Sequence, residues 1–170
     1  MATKAVAGHR GIMMDEILVG LDGSPASCQA LTWAADAAAA FDTGIVGVFI
    51  LTPSSAFRRD LSLEGFTTWR RQLRRRLDHE WMAPARVRGL DVRSGIVECE
   101  TVAAGLLRSA EDIHARLIVL GASSRPHPLG SISDRVAHHA SQPLVVVPLR
   151  GQTVIDLRPA SRRTDRVAAS

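Results

Sequence analysis

Leu117-Ile-Val-Leu-Gly121-Ala-Ser-Ser-Arg-Pro-His-Pro-Leu-Gly130-Ser131-Ile-Ser-Asp134 joins an apolar run to the start of a helix through a loop of glycine, serine and proline. Leu117 to Leu120 are apolar at every position, which predicts a parallel strand covered on both faces rather than a half-exposed one. Gly130 lets the backbone approach a ligand without a Cβ in the way. Ser131 can cap the next helix, with Asp134 three residues on as a capping-box-like partner. A helix start made this way leaves N–H groups and the positive end of the macrodipole facing the loop, and both favour an anion. The same segment also reads as a plain strand-to-helix turn with good capping, since glycine-containing connections are common in α/β proteins.

Working outward, strands alternate with helices along the chain. Ile17-Leu-Val-Gly-Leu21 is a short apolar run ending at Asp22-Gly-Ser-Pro25, where Ser24 can cap and Pro25 takes the first helical position. The helix carries Leu31, Ala34, Ala35, Ala38 and Phe41 on one face, and Gly44 reads as its C-terminal glycine signal. Ile45 to Leu51 is the second strand. After a loop over Ser54 to Leu63, the stripe Phe66, Trp69, Leu73, Leu77, Trp81 predicts a second helix ended by Pro84. Residues 87–93 and 95–98 read as one extended segment punctuated by Gly89 and Gly95. Thr101 caps a third helix with Val102, Leu106, Leu107, Ala110 and Ile113 in its stripe. A strand over 116–120, the glycine loop, a helix from 131 to about 141 and the run Leu144-Val-Val-Val147 complete the series.

Strands alternating with helices through short loops imply right-handed βαβ crossovers: an α/β three-layer sandwich of a five-stranded parallel sheet and four helices over residues 15–148. Residues 1–14 and the basic stretch 149–170 fall outside the pattern and read as tails. The 170-residue chain is 46% hydrophobic, which suits one domain with a sizeable core. Cys28 and Cys99 are too few for a disulfide framework or a metal cluster and read as small buried hydrophobes in a reducing compartment. With no apolar run near the length of a membrane span and no signal-peptide h-region, the expectation is a soluble cytoplasmic protein.

The net charge of +4 raises nucleic acid as a partner, because clustered basic residues collect phosphates. The arginines concentrate at Arg70, Arg71, Arg74, Arg75 and Arg76 and in the tail at Arg158, Arg162, Arg163 and Arg166. A solvated helix face and a solvated tail account for that distribution, so the reading disfavours nucleic acid.

In open α/β sheets, ligands bind beyond the carboxyl ends of the strands, at the switch point where neighbouring strands leave toward opposite faces. Two loops have that address: Asp22-Gly23-Ser24 after strand one and Gly121 to Ser131 after strand four. Asp22 can accept hydrogen bonds from a ribose or hold a magnesium ion, and the second loop can take phosphates. An Asp before Gly-Ser-Pro is also simply a good turn former. His114 and His127 lack a partner in the sequence that would position them as general bases, and His138 and His139, adjacent on a helix, cannot both face one metal.

These residues together resemble the universal stress protein family. Ile17 to Ser27 with Ala30-Leu31 and Ala34 to Ala38 is similar to its first strand and helix; Arg116 to Ser123, Leu129 to Val136 and Ser141 to Pro148 are similar to its closing half. The resemblance implies a nucleotide-binding α-hydrolase-like fold, a homodimer joined through the last strand, and in some members the binding of ATP or another adenine nucleotide. By resemblance Asp22 serves the ribose or a magnesium ion, with Gly23 and Ser24 in the same loop. Ile50 meets the adenine by its backbone, and Gly121, Ser124, Gly130, Ser131, Ile132 and Ser133 line the phosphates. The family's binding signature is Gly-x-x-Gly, nine residues, then Gly with Ser or Thr. Here Ser124 stands at the second glycine, and only the five residues Arg125 to Leu129 separate it from Gly130. Fewer backbone amides can then curve round a triphosphate, which leaves a mono- or diphosphate as a fit.

The leading expectation is a stress-response regulatory protein that binds an adenine nucleotide without efficient catalysis. The alternative is a dimeric member that has lost nucleotide binding and engages an acidic or protein partner through the arginine face or the basic tail. Either is expected to dimerise through Leu144, Val145, Val146 and Val147, because an apolar terminal strand would otherwise be an open edge.

Overall fold

The computed structural model describes residues 16–53, 63–122 and 132–149. Five strands form one sheet: β1 Ile17–Gly20, β2 Ile45–Leu51, β3 Val92–Glu98, β4 Leu117–Gly121 and β5 Leu144–Val147. The order is β3-β2-β1-β4-β5, and every neighbouring pair is parallel. Helices α1 Pro25–Phe41, α2 Leu63–Arg75, α3 Ala83–Val87, α4 Val102–Asp112 and α5 Ile132–His139 connect them, α3 being a short extension of the second crossover. The order places β1 at the centre with Ile17, Leu18 and Val19 fully buried. Alternation along each strand sorts the core into two halves. Ile17, Val19 and Ile45 pack with Leu31, Ala34, Leu73, Leu77 and Trp81 under α1 and α2. Leu18, Val46, Val48 and Ile118 pack with Leu106, Ala110 and Val136 under α4 and α5. Two buried faces explain why these strands are apolar throughout.

The first and third expected caps form as local chemistry dictates. Ser24 accepts from the Ser27 amide at 3.2 Å with Pro25 in the first turn, and Thr101 accepts from the Ala104 amide at 3.2 Å. The other end of α1 differs from expectation. Asp42, not Gly44, takes the left-handed conformation at φ 51°, and its amide returns to the Ala38 carbonyl. Asp tolerates that region, so the helix ends at Phe41, three residues before the glycine. Phe41 is also half exposed rather than core, with the Arg116 guanidinium 5.0 Å over its ring.

The second crossover departs most from the sequence reading. α2 passes into a π-helix over Arg76–Trp81, closed by the bond from the Met82 amide to the Leu77 carbonyl at 3.1 Å. Leu73, Leu77 and Trp81 follow one another at steps of four, which drift round a 3.6-residue helix; the wider turn brings Leu77 and Trp81 both inward. Pro84 does not end this helix but sits in the first turn of α3, where its missing N–H costs nothing. Residues 83–87 are therefore helical, and β3 runs unbroken through Gly95. Cys28 is exposed on α1 and Cys99 is half-buried just past β3, so neither is the buried hydrophobe expected. No helix among the described residues is long and apolar enough to cross a membrane.

Candidate functional site

In the order β3-β2-β1-β4-β5, the chain leaves β1 toward β2 on one side and reaches β4 on the other, so the switch point lies between β1 and β4. A cavity of about 590 Å³ opens there, at the carboxyl ends of β1, β2 and β4 and against the first turns of α1 and α5. Its volume falls within the range usual for small-molecule sites.

Asp22, Ser24, Ile50, Gly121, Ile132 and Ser133 all line this cavity, so the structure brings together most of the candidate residues. Ser124, Gly130 and Ser131 lie outside the described residues, as does His127. Gly23 does not line the cavity but shapes the loop beside it, holding φ +78°. Asp22 is fixed from two directions: its Oδ1 accepts from the Ser24 amide at 2.9 Å, and its own amide reaches the Ser27 hydroxyl at 3.4 Å. Burial alone would raise the Asp22 carboxyl, but hydrogen bonds from Ser24 and Ser27 outweigh it and hold the group below its ordinary 3.8. It is an anion at neutral pH.

The ladder decides what Ile50 offers. Val48 accepts from the Leu21 amide and Leu51 from the Cys99 amide, so successive β2 residues face β1 and β3 in turn. Ile50 therefore turns its amide and carbonyl to the β1 side, just beyond the last bond that β1 supplies, while its side chain packs on Gly105 of α4. A backbone donor and acceptor at the cavity wall suit the edge of a heterocyclic base. Gly121 has a packing reason of its own. A Cβ there would stand 2.5 Å from the Ala26 carbonyl oxygen and 2.8 Å from the Ser27 nitrogen, so only glycine lets the first turn of α1 sit this close to β4.

Among the lining residues that the sequence reading missed are Phe49, Thr52, Val102, Leu106 and Leu149. Thr52 and Leu149, just past β2 and β5, share the strand-end address, Phe49 precedes Ile50 in β2, and Val102 and Leu106 arrive on α4 by a crossover that no local pattern marks. His114 lies exposed at the amino end of β4, opposite the cavity, and His138 bonds the Asp134 carbonyl at 2.7 Å on the surface of α5. Among the described residues, no group of three or more His, Cys, Asp or Glu could hold a metal ion. The arginine face of α2 is partly neutralised, with Arg70 to Glu98 at 2.7 Å, Arg76 to Glu80 at 3.3 Å and Arg74 near Asp78 at 4.0 Å.

The model of the universal stress protein family matches residues 13–148, four-fifths of the chain, in the order of elements just described. The chain belongs to this family. A solved structure of a universal stress protein family member from Burkholderia pseudomallei is 32% identical, covers 81% of this chain and 98% of its own, and superposes with a TM-score of 0.63. A universal stress protein solved in complex with cAMP is 21% identical over 79% of this chain and 97% of its own, with a TM-score of 0.59. One from Archaeoglobus fulgidus in complex with dAMP is 18% identical over 78% of this chain and 96% of its own, with a TM-score of 0.57. A search of the curated proteins found no match. As in these relatives, the universal stress protein domain here is the α/β sandwich itself.

Proposed function

We propose that this universal stress protein binds an adenine nucleotide at the β1–β4 switch point and acts as a stress-response regulator without efficient catalysis of its own. The observation that carries the reading is one cavity lined at once by Asp22, by the outward-turned backbone of Ile50 and by the first turns of α1 and α5. Asp22 would take the ribose hydroxyls and Ile50 the base edge. The positive ends of the two helices would face the phosphates, where their dipoles favour negative charge. Phe49, Val102 and Leu106 supply apolar surface for the base. Family members of the same fold solved with cAMP and dAMP support the ligand class. A magnesium ion would arrive with the phosphates, since Asp22 alone offers it one carboxylate.

One observation favours the alternative, a member that works as a scaffold without nucleotide. Gly121 and Ser24 are each explained by packing and capping, with no ligand required. Under both readings the protein is proposed to pair through β5, an edge strand whose Val146 is 41% exposed.

Titration calorimetry with ATP, ADP, AMP and cyclic AMP tests the proposal. Saturable heat for at least one of them is expected, and ligand at a hundred times its Kd should stabilise the protein by about 2.7 kcal/mol in thermal unfolding. No heat with any of the four, together with no adenine nucleotide released on denaturing the purified protein, would overturn it in favour of the scaffold.

A further inference from the structure

The loop that presents Asp22 rests on an aromatic ring from the second crossover. At Gly23, φ is +78°, and the indole of Trp81 lies where a Cβ would be, with Cζ2 and Cε2 closest and Cε2 at 2.8 Å from that position. The same indole lies 6.1 Å from the ring of Phe49, which lines the cavity, and the Arg76 guanidinium stands 5.3 Å over it from the outer side. Trp81 is buried and is the last residue of the π-helix, which aims it inward. It does not itself line the cavity.

We propose that Trp81 is a positioning residue for the binding cavity: its ring, set by the π-helix, props the Asp22-Gly23-Ser24 loop and the Phe49 wall in their binding geometry. The inference rests on the proposed binding of an adenine ligand, and it deepens that reading by naming what orders the site. The loop is short, and among the described residues its side-chain bonds run to Ser24 and Ser27 on the α1 side. On the other side the indole packs against Gly23, the most permissive residue type, and hinders it from relaxing. Withdrawing the ring frees the turn while leaving the Ser24 cap and the sheet ladder in place.

The test uses Trp81→Phe, whose ring stays in the π-helix but is too short to lie fully under Gly23, and Trp81→Leu beside it. In the ligand-free protein the amides of Asp22 and Ser24 should exchange hydrogen about tenfold faster in either variant, while strand amides of β1 keep their protection. Adenosine affinity should fall about tenfold with AMP following it in step, because the loss is on the sugar side. A third arm keeps Trp81 as the sole tryptophan by Trp33→Phe and Trp69→Phe; its emission should shift on adenosine binding with the midpoint that calorimetry gives. Unchanged exchange at Asp22 and Ser24 in folded Trp81→Phe overturns the inference, as does bound adenosine that leaves the Trp81 emission unmoved. If the parent binds no adenine ligand, the proposed function fails, and the exchange experiment still decides whether Trp81 orders the loop.

Discussion

Replacing Gly121 by alanine probes the close approach of the first turn of α1 to the end of β4. Gly121 ends β4, pairs with Val147 of β5, and has a φ outside the left-handed region, so alanine meets no backbone strain there. Its effect is steric. The added methyl would stand 2.5 Å from the Ala26 carbonyl oxygen, whereas ordinary contact begins at 3.4 Å, and Ala26 belongs to the first turn of α1. A side-chain end could swing aside, but a helix backbone cannot. The first turn of α1 must withdraw by roughly 1 Å, which places the cost at the upper end of overpacking, about 3 kcal/mol. Gly95→Ala is the matched control: it also lies in a strand, but nothing stands within 4 Å of its Cβ position. There alanine should be neutral or stabilising by up to about 1 kcal/mol, since glycine weakens a strand interior. Urea unfolding followed by circular dichroism, with midpoints compared at constant slope, measures both. Gly121→Ala within about 0.5 kcal/mol of the parent would refute the packing account and return Gly121 to a purely ligand-facing role.

Asp22→Asn should weaken adenosine and ATP alike by about tenfold, the worth of one charge-assisted hydrogen bond, and calorimetry that shows ATP alone affected would contradict its sugar-side role. The folded Asp22 carboxyl lies below its ordinary 3.8, so its ionised form adds stability that is complete above that pH and fades as pH falls toward the lowered value. The stability gap between parent and Asp22→Asn should accordingly narrow below about pH 4; a gap that widens on acidification would reverse the sign. Pro143 and Val147 accept from the amides of Ile118 in β4 and Ala122 just past it, which turns the Val146 amide to the outer edge of β5. Val146→Pro should therefore leave the β4–β5 ladder intact and convert a dimer into a monomer in sedimentation velocity, whereas a parent that is monomeric at micromolar concentration removes the proposed β5 contact. Arg93 pairs with the buried Glu16 through two nitrogens, so Arg93→Ala should cost about 1–2 kcal/mol. Arg108→Ala, breaking an exposed pair at 3.9 Å, should stay within about 0.5 kcal/mol, and equal costs would show that burial does not separate the two.

The sequence alone determined the layers and the address of the candidate site. The apolar runs at 17–21, 45–51 and 117–120 read as strands buried on both faces and that at 144–147 as the closing strand, and Ser24-Pro25 and Thr101 marked helix starts by bonds that span three residues. Alternation of such elements leaves few topologies, and a parallel sheet puts its ligands beyond the strand ends. The tertiary structure alone decided what depends on residues far apart in the chain. Asp42 rather than Gly44 ends α1, and Pro84 begins a helix where local punctuation suggested a stop. The π-helix forms because Leu73, Leu77 and Trp81 must all reach one core, a demand that comes from the sheet beneath and not from helix propensity. Trp81 and Gly23 lie 58 positions apart, Met82 and Gly47 35, and Ile50 and Gly105 55, and each small residue is dictated by what packs on it: the indole on Gly23, Met82 on Gly47 and Ile50 on Gly105. Local bonds leave a signature within a few residues, whereas a cavity wall assembled from Phe49, Val102, Leu106 and Leu149 exists only once the crossovers have brought three distant segments together.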